Sequence, residues 1–148
     1  GNAISMDVAI ADINADGYPD AVVANRGADQ VWLNDGQGNF TDSGLRLERQ
    51  RTLSALLADL DADGDLDYFA AGESSGQVWL NEGGGVFQAG DRIRYGQGVA
   101  VALGDVTGDN LPDLFIAGVD KHQVWRGDGS GSFIADPELT GTHHRTVR

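Results

Sequence analysis

The stretch Asp59-Leu60-Asp61-Ala62-Asp63-Gly64-Asp65-Leu66-Asp67 decides how this chain is read. It lies between two apolar runs, Leu53-Ser54-Ala55-Leu56-Leu57-Ala58 and Tyr68-Phe69-Ala70-Ala71-Gly72. Carboxylates at alternate positions, a glycine and a further carboxylate describe a loop that wraps a hard cation. Without an ion the side chains repel one another. Around Ca²⁺, oxygens from positions 1, 3, 5 and 9 and the backbone carbonyl of position 7 fill most of a coordination shell. Gly64 allows the positive φ that turns the backbone around the ion.

The pattern occurs three times. Asp12-Ile13-Asn14-Ala15-Asp16-Gly17-Tyr18-Pro19-Asp20 precedes it by 47 residues, and Asp105-Val106-Thr107-Gly108-Asp109-Asn110-Leu111-Pro112-Asp113 follows it by 46. Trp32, Trp79 and Trp125 keep these spacings, as do Phe40, Phe87 and Phe133. Self-similarity at this period marks a repeat architecture.

Each repeat reads alike. A small-residue strand (Met6–Ala11, Ser54–Ala58, Val99–Gly104) leads into the acidic loop, and its Ala content suits burial on both sides in a crowded place. An apolar strand follows (Ala21–Ala24, Tyr68–Ala71, Leu114–Ala117), then a polar turn and a third strand (Gln30–Asn34, Gln77–Asn81, Gln123–Arg126). After a Gly-rich turn the last strand begins at Phe40, Phe87 or Phe133. The class is all-β. Four strands in about 46 residues is the size of one propeller blade, with the Ala-rich strand innermost. The expected organisation is a single repeat domain over 1–148: blades at about 4–48, 49–95 and 96–142, and a tail at 143–148.

The D-x-D-x-D-G-x-x-D loop, the apolar strand after it, the V-W-L-N strand and the G-x-G-x-F turn together resemble the FG-GAP repeat, the integrin-α-type repeat also called VCBS. The resemblance covers essentially the whole chain, three times. It implies β-propeller blades with Ca²⁺ between the first two strands of each, two or three ions per chain here. It also implies a recognition or adhesion module outside the cytoplasm: extracellular, periplasmic or on the cell surface. Some relatives bind carbohydrate and some accompany polysaccharide-cleaving enzymes.

The candidate ligands are Asp12, Asn14, Asp16, Asp20 and the Tyr18 carbonyl in the first loop. The second offers Asp59, Asp61, Asp63, Asp67 and the Asp65 carbonyl, and the third Asp105, Thr107, Asp109, Asp113 and the Leu111 carbonyl. The third departs from the pattern at Thr107 and at Asn110, where the other loops have Gly, although Asn tolerates the left-handed conformation. An EF-hand would need Glu at loop position 12; Val23, Ala70 and Ile116 stand there. The competing explanation of the loops is Asx turns that cap themselves without metal.

Composition agrees with cation loops. The net charge is −13, and eleven of the 23 acidic residues lie inside the three loops, so three Ca²⁺ would bring it to about −7. This balance argues against nucleic-acid binding. No segment has the apolar length of a membrane span, so insertion is not expected. The absence of Cys excludes disulfides and Cys-based metal sites. The chain opens at Gly1-Asn2 without an initiator Met, which is consistent with a removed leader or a tag remnant.

Other motifs read as structural. The mid-strand recurrence of Trp32, Trp79 and Trp125 favours packing over sugar stacking. Arg126-Gly127-Asp128 spells an adhesion tripeptide but falls at a strand-to-turn junction. Asn39-Phe40-Thr41 is a glycosylation sequon. His143 and His144 belong to a solvated tail, and His122 has no evident acid/base partner. No Ser-His-Asp or paired-carboxylate arrangement stands apart from the loops, so the chain leans away from catalysis. The alternatives are a propeller of a polysaccharide-cleaving enzyme or a purely structural repeat. The partner, glycan or extracellular protein, is not legible from these residues. Three blades leave two apolar faces open, and closed propellers have four to eight blades, so two copies are expected to close a six-bladed ring, the alternative being that the chain is a fragment of a longer, seven-bladed propeller.

Overall fold

The computed structural model describes residues 4–47, 50–98 and 100–142. Val99, the 143–148 tail with His143 and His144, and the first three residues lie outside the described residues. The described chain is twelve strands with no helix. Each repeat folds into one antiparallel four-stranded sheet in sequence order. Sheet 1 is β1 (Ser5–Ala11), β2 (Asp20–Asn25), β3 (Gln30–Asn34) and β4 (Phe40–Arg46). Sheet 2 is β5 (Ser54–Ala58), β6 (Asp67–Ala71), β7 (Ser75–Asn81) and β8 (Phe87–Arg94). Sheet 3 is β9 (Ala100–Gly104), β10 (Asp113–Ala117), β11 (Lys121–Gly127) and β12 (Phe133–Thr142).

The core lies between the sheets. Side chains alternate across a strand, so every sheet can be apolar on both faces. Val22, Ala24, Val31 and Leu47 of the first repeat pack against Ala55, Tyr68 and Ala70 of the second. On the other side of sheet 2, Phe69, Ala71 and Val78 meet Leu114, Ile116 and Phe133, with Phe69 and Phe133 edge to face at 6.1 Å. Trp79 packs at the first joint and Trp125 at the second, the packing role expected of them. Backbone and side-chain bonds cross both joints: Ala55 N–H donates to Asp7 Oδ2 at 2.9 Å, and Gly131 N–H to the Leu60 carbonyl at 2.9 Å.

The first joint has a buried polar node with no counterpart at the second among the described residues. The Asp29 carboxylate accepts hydrogen bonds from Asn25 N–H, Thr52 Oγ1–H and Tyr68 Oη–H, each at 2.7 Å. Asp29, Thr52 and Tyr68 are all buried. At the corresponding places in the next joint stand Gly76, Gly98 and Leu114.

The innermost strands differ from the sequence expectation. Only β5 has an inner neighbour on each side, β1 and β9. Residues of β1 and β9 are therefore half-buried or exposed rather than enclosed. Alternation puts Val8, Ile10, Val23 and Trp32 on the face of sheet 1 turned away from sheet 2. Ile10 is 57% exposed, and Phe40 is 44% exposed where its counterpart Phe133 is 8%. The far face of sheet 3 carries Phe115, stacked on the His122 ring with centroids 5.5 Å apart, and exposed Ile134. Both end faces are therefore the faces that, one repeat further along, form a joint.

Candidate functional site

The acidic loops join the first two strands of each sheet, all at one end of the strands. A three-tier pattern of hydrogen bonds recurs in them. The position 1 carboxylate accepts the N–H groups of positions 5 and 6. Asp12 takes Asp16 at 3.1 Å and Gly17 at 2.9 Å, Asp59 takes Asp63 and Gly64 at 3.1 Å, and Asp105 takes Asp109 at 3.2 Å and Asn110 at 2.9 Å. The position 5 carboxylate accepts the N–H of position 7 at 2.9 Å in every loop: Asp16 from Tyr18, Asp63 from Asp65, Asp109 from Leu111.

Position 9 does more than offer a ligand. Asp20, Asp67 and Asp113 are fully buried, and each is the first residue of its strand. One oxygen accepts the N–H of position 2 (Ile13 at 3.0 Å, Leu60 at 2.6 Å, Val106 at 3.0 Å). The other accepts the N–H at the end of the third strand, from Asn34 at 2.9 Å, Asn81 at 2.8 Å and Gly127 at 3.0 Å. A single side chain thus closes the loop and ties it to the Gly-rich turn at the same end of the sheet.

The backbone turns at two places, not one. Gly17, Gly64 and Asn110 at position 6 have positive φ, as the sequence suggests for Gly64 and Asn110. Position 4 also does: Ala15 at 59°, Ala62 at 63° and Gly108 at 81°. Ala gives no sign of a left-handed conformation. The third loop carries the signal, because its Gly has moved from position 6 to position 4.

Carboxylates converge in two loops. Oxygens of Asp59, Asp61 and Asp67 lie within 4.8 Å of one another, as do those of Asp105, Asp109 and Asp113. Asp63 is not part of the second trio, and in the first loop Asn14 holds position 3, its amide donating to Asp16 at 2.9 Å. Among the described residues the carboxylates of Asp12, Asp16 and Asp20 form no such trio. Burial, then the Asp63 and Asp59 charges, raises the Asp61 carboxyl above its ordinary range. Burial pushes Asp67 up to about 6 against the hydrogen bonds from Asn81 and Leu60, with the Asp61 and Asp63 charges adding to the rise. Asp105 goes the opposite way, lowered chiefly by the Asn110 N–H. Thr107 Oγ1, at the position 3 ligand place of the third loop, is buried without a hydrogen-bond partner. In the second loop crowded carboxyls that resist ionisation, and in the third a carboxylate trio beside an orphaned hydroxyl, are donor sets that fit a hard cation.

The adhesion tripeptide is committed to structure. Arg126 pairs with Asp136, Gly127 is buried with no room for a Cβ beside the Pro112 carbonyl, and Asp128 Oδ1 accepts Ser130 N–H at 2.8 Å and its Oγ–H at 2.7 Å.

Comparison with known proteins agrees with the fold. A lectin of Agrocybe aegerita, solved for its specific recognition of non-reducing terminal N-acetylglucosamine, matches 91% of this chain at a TM-score of 0.62 and 24% identity. The Tc holotoxin pore of Photorhabdus luminescens matches 94% of it at a TM-score of 0.58 and 19% identity. The chain spans 37% of the first and 7% of the second, and these likenesses show a propeller-like fold. No curated protein matches. The model of the FG-GAP-like repeat matches residues 12–58 and 59–116, and the chain belongs to that family.

Proposed function

We propose that the chain is a Ca²⁺-stabilised, non-catalytic β-propeller module for recognition or adhesion outside the cytoplasm, with a glycan or an extracellular protein as its partner. The observation that carries this reading is the convergence of Asp59, Asp61 and Asp67, whose crowding is costly without a cation. Extracellular Ca²⁺ saturates even weak loops of this kind. The N-acetylglucosamine specificity of the Agrocybe aegerita lectin supports a glycan as the first partner to test. The module is tested by melting metal-stripped protein with and without added Ca²⁺, since an ion that binds the native state raises stability by mass action. An unchanged melting curve refutes the calcium part. A glycan array on the Ca²⁺-loaded chain tests recognition, and a blank array refutes a glycan partner.

The end faces support closure of the ring by a second copy. Val8, Ile10 and Phe40 occupy places that are buried or half-buried at the internal joints, and Phe115 and Ile134 stand on the complementary face. Leaving them in water costs roughly 25 cal/mol per Å² of apolar surface. Two copies joined head to tail bury both faces and give six blades, within the usual propeller range. Sedimentation in Ca²⁺ should show twice the 15.6 kDa chain mass, and a monomer at high concentration refutes closure.

A further inference from the structure

Each acidic loop reaches across to the sheet that follows it. Position 2 of the loop stands between ligand positions 1 and 3, but its side chain belongs to the joint. Ile13 is part of the core between sheets 1 and 2, and Leu60 of the core between sheets 2 and 3. The next sheet's Gly-rich turn closes over it. The Ile13 carbonyl accepts the Asn81 side-chain N–H at 2.8 Å, and a Cβ on Gly85 would stand 3.7 Å from Ile13 Cγ2. The Leu60 carbonyl accepts Gly131 N–H at 2.9 Å. Gly85 and Gly131 hold the same place in their turns, and both are buried.

Position 2 is therefore clamped twice in the first two loops. Its N–H is held from inside the loop by the position 9 carboxylate, and its carbonyl is held by the next sheet. The third loop has the inner clamp alone. Val106 N–H donates to Asp113 at 3.0 Å, and among the described residues no sheet follows sheet 3. Val106 is 50% exposed where Ile13 is 1% and Leu60 3%.

The other half of the contact stands open on sheet 1. Gly38, at the place of Gly85 and Gly131, is exposed. Asn34, at the place of Asn81, is already shaped for the task. Its side-chain oxygen accepts Gly36 and Gly38 N–H at 3.1 and 3.3 Å, as that of Asn81 accepts Gly83 and Gly85 at 3.1 and 3.2 Å. Its amide donates to the Pro19 carbonyl at 2.9 Å, as that of Asn81 does to Leu66 at 3.2 Å. What Asn34 lacks is the second amide bond, the one that crosses the joint. Each end of the molecule thus carries the half that the other end needs, and the occupant that fits both is a second copy. A head-to-tail contact of this kind, made twice, closes on itself.

We propose that Val106 seats on the turn of residues 34–38 of a second copy, and that this contact makes Ca²⁺ binding in the third loop and assembly of the ring mutually dependent. The inference rests on the calcium and ring-closure readings and names the residues and the regulation for them. Holding the Val106 carbonyl fixes the backbone between Asp105 and Thr107, two ligand positions, so the ion does not have to order them. The reverse follows by linkage: an ion that binds the dimer more tightly than the monomer strengthens the dimer by the same factor.

The test is sedimentation equilibrium of the full chain across a series of free Ca²⁺ concentrations, with circular dichroism at each to show that the sheets are intact. Calorimetric Ca²⁺ titration below and above the dimer's dissociation constant accompanies it. That constant should fall by roughly 5–150-fold as the third loop fills, the usual size of coupling between two sites. The weakest Ca²⁺ site should tighten by the same factor in the concentrated sample. Val106→Ser should weaken the dimer about tenfold or more and loosen that site in the concentrated sample, although it removes no ligand. Val86→Ser, which changes a comparably exposed valine on the turn of sheet 2, should alter neither. Asp109→Asn leaves the contact untouched, so it should weaken the dimer at low free Ca²⁺ and regain it at saturating Ca²⁺. A dissociation constant that does not move with Ca²⁺ while the chain stays folded overturns the linkage and leaves ring closure standing. One that Val106→Ser does not move overturns the contact. A monomer at every Ca²⁺ level overturns the contact and ring closure together, assigns the open loop to a blade of another protein, and leaves calcium stabilisation to the melting test.

Discussion

Tyr68→Phe isolates the polar node at the first joint. The substitution keeps the buried ring and its packing against Val22 and Ala55, and removes only the hydroxyl that donates to Asp29 at 2.7 Å. Asp29 keeps Asn25 N–H and Thr52 Oγ1–H, so the carboxylate is left under-satisfied rather than bare. A hydrogen bond to a charged group is worth about 1.5–3 kcal/mol. In a domain of this length each kcal/mol moves the melting temperature by roughly 2–4 °C, so the expected drop is about 3–12 °C. The assay is thermal melting by circular dichroism in saturating Ca²⁺, which holds the ion contribution fixed. Thr52→Val completes a double-mutant cycle. The two losses should be non-additive, because both donors serve Asp29 Oδ2. A Tyr68→Phe protein within about 0.5 kcal/mol of the parent refutes the argument that this node fastens the first joint.

Asp61→Ala should lower the melting temperature in Ca²⁺ more than Thr107→Ala, since ligand charge helps set affinity; the reverse order in matched melts shows that the third loop holds the ion more tightly. In metal-free protein the Asp67 carboxyl should titrate near 6 by carbon NMR and fall when Ca²⁺ is added. The sign follows from the raised value: its contribution to stability is fully present below its ordinary value of 3.8 and is lost as the pH rises through about 6. A midpoint near 4 in the metal-free chain refutes the burial argument. Ile10→Asp places a charge on the open face of sheet 1 without touching either internal joint, so it should abolish a dimer in sedimentation with little change in melting of the single chain; a persisting dimer refutes closure through that face.

Features that repeat were legible in the sequence, because three copies of one residue type at one phase can be compared. The strands fall where the spacing puts them, and β6 and β10 begin at the last Asp of each loop because that side chain serves both loop and sheet. Features that do not repeat were hidden. Asp29, Thr52 and Tyr68 come from three unlike places in two repeats, and no periodicity joins them. The left-handed Ala15 and Ala62 were hidden because their residue type argues for ordinary φ. The exposure of β1 and β9 depends on how many neighbours an inner strand has, which composition does not encode.

The acidic loops share one end of the strands, while Arg26, Arg46, Arg51, Arg92, Arg94 and Lys121 stand toward the other, and this separation of charge makes the module an electric dipole aligned with its strands. With the loops unfilled, one rim is strongly negative and the other carries the guanidinium groups. Each ion bound would subtract from the negative pole and leave the positive one untouched. Ca²⁺ bound there would change the torque that the molecule feels near a charged surface, and with it which rim arrives first. Because exposed charges are screened over about 10 Å at 0.1 M salt, this steering is a property of dilute solution and close approach, and it fades as ionic strength rises.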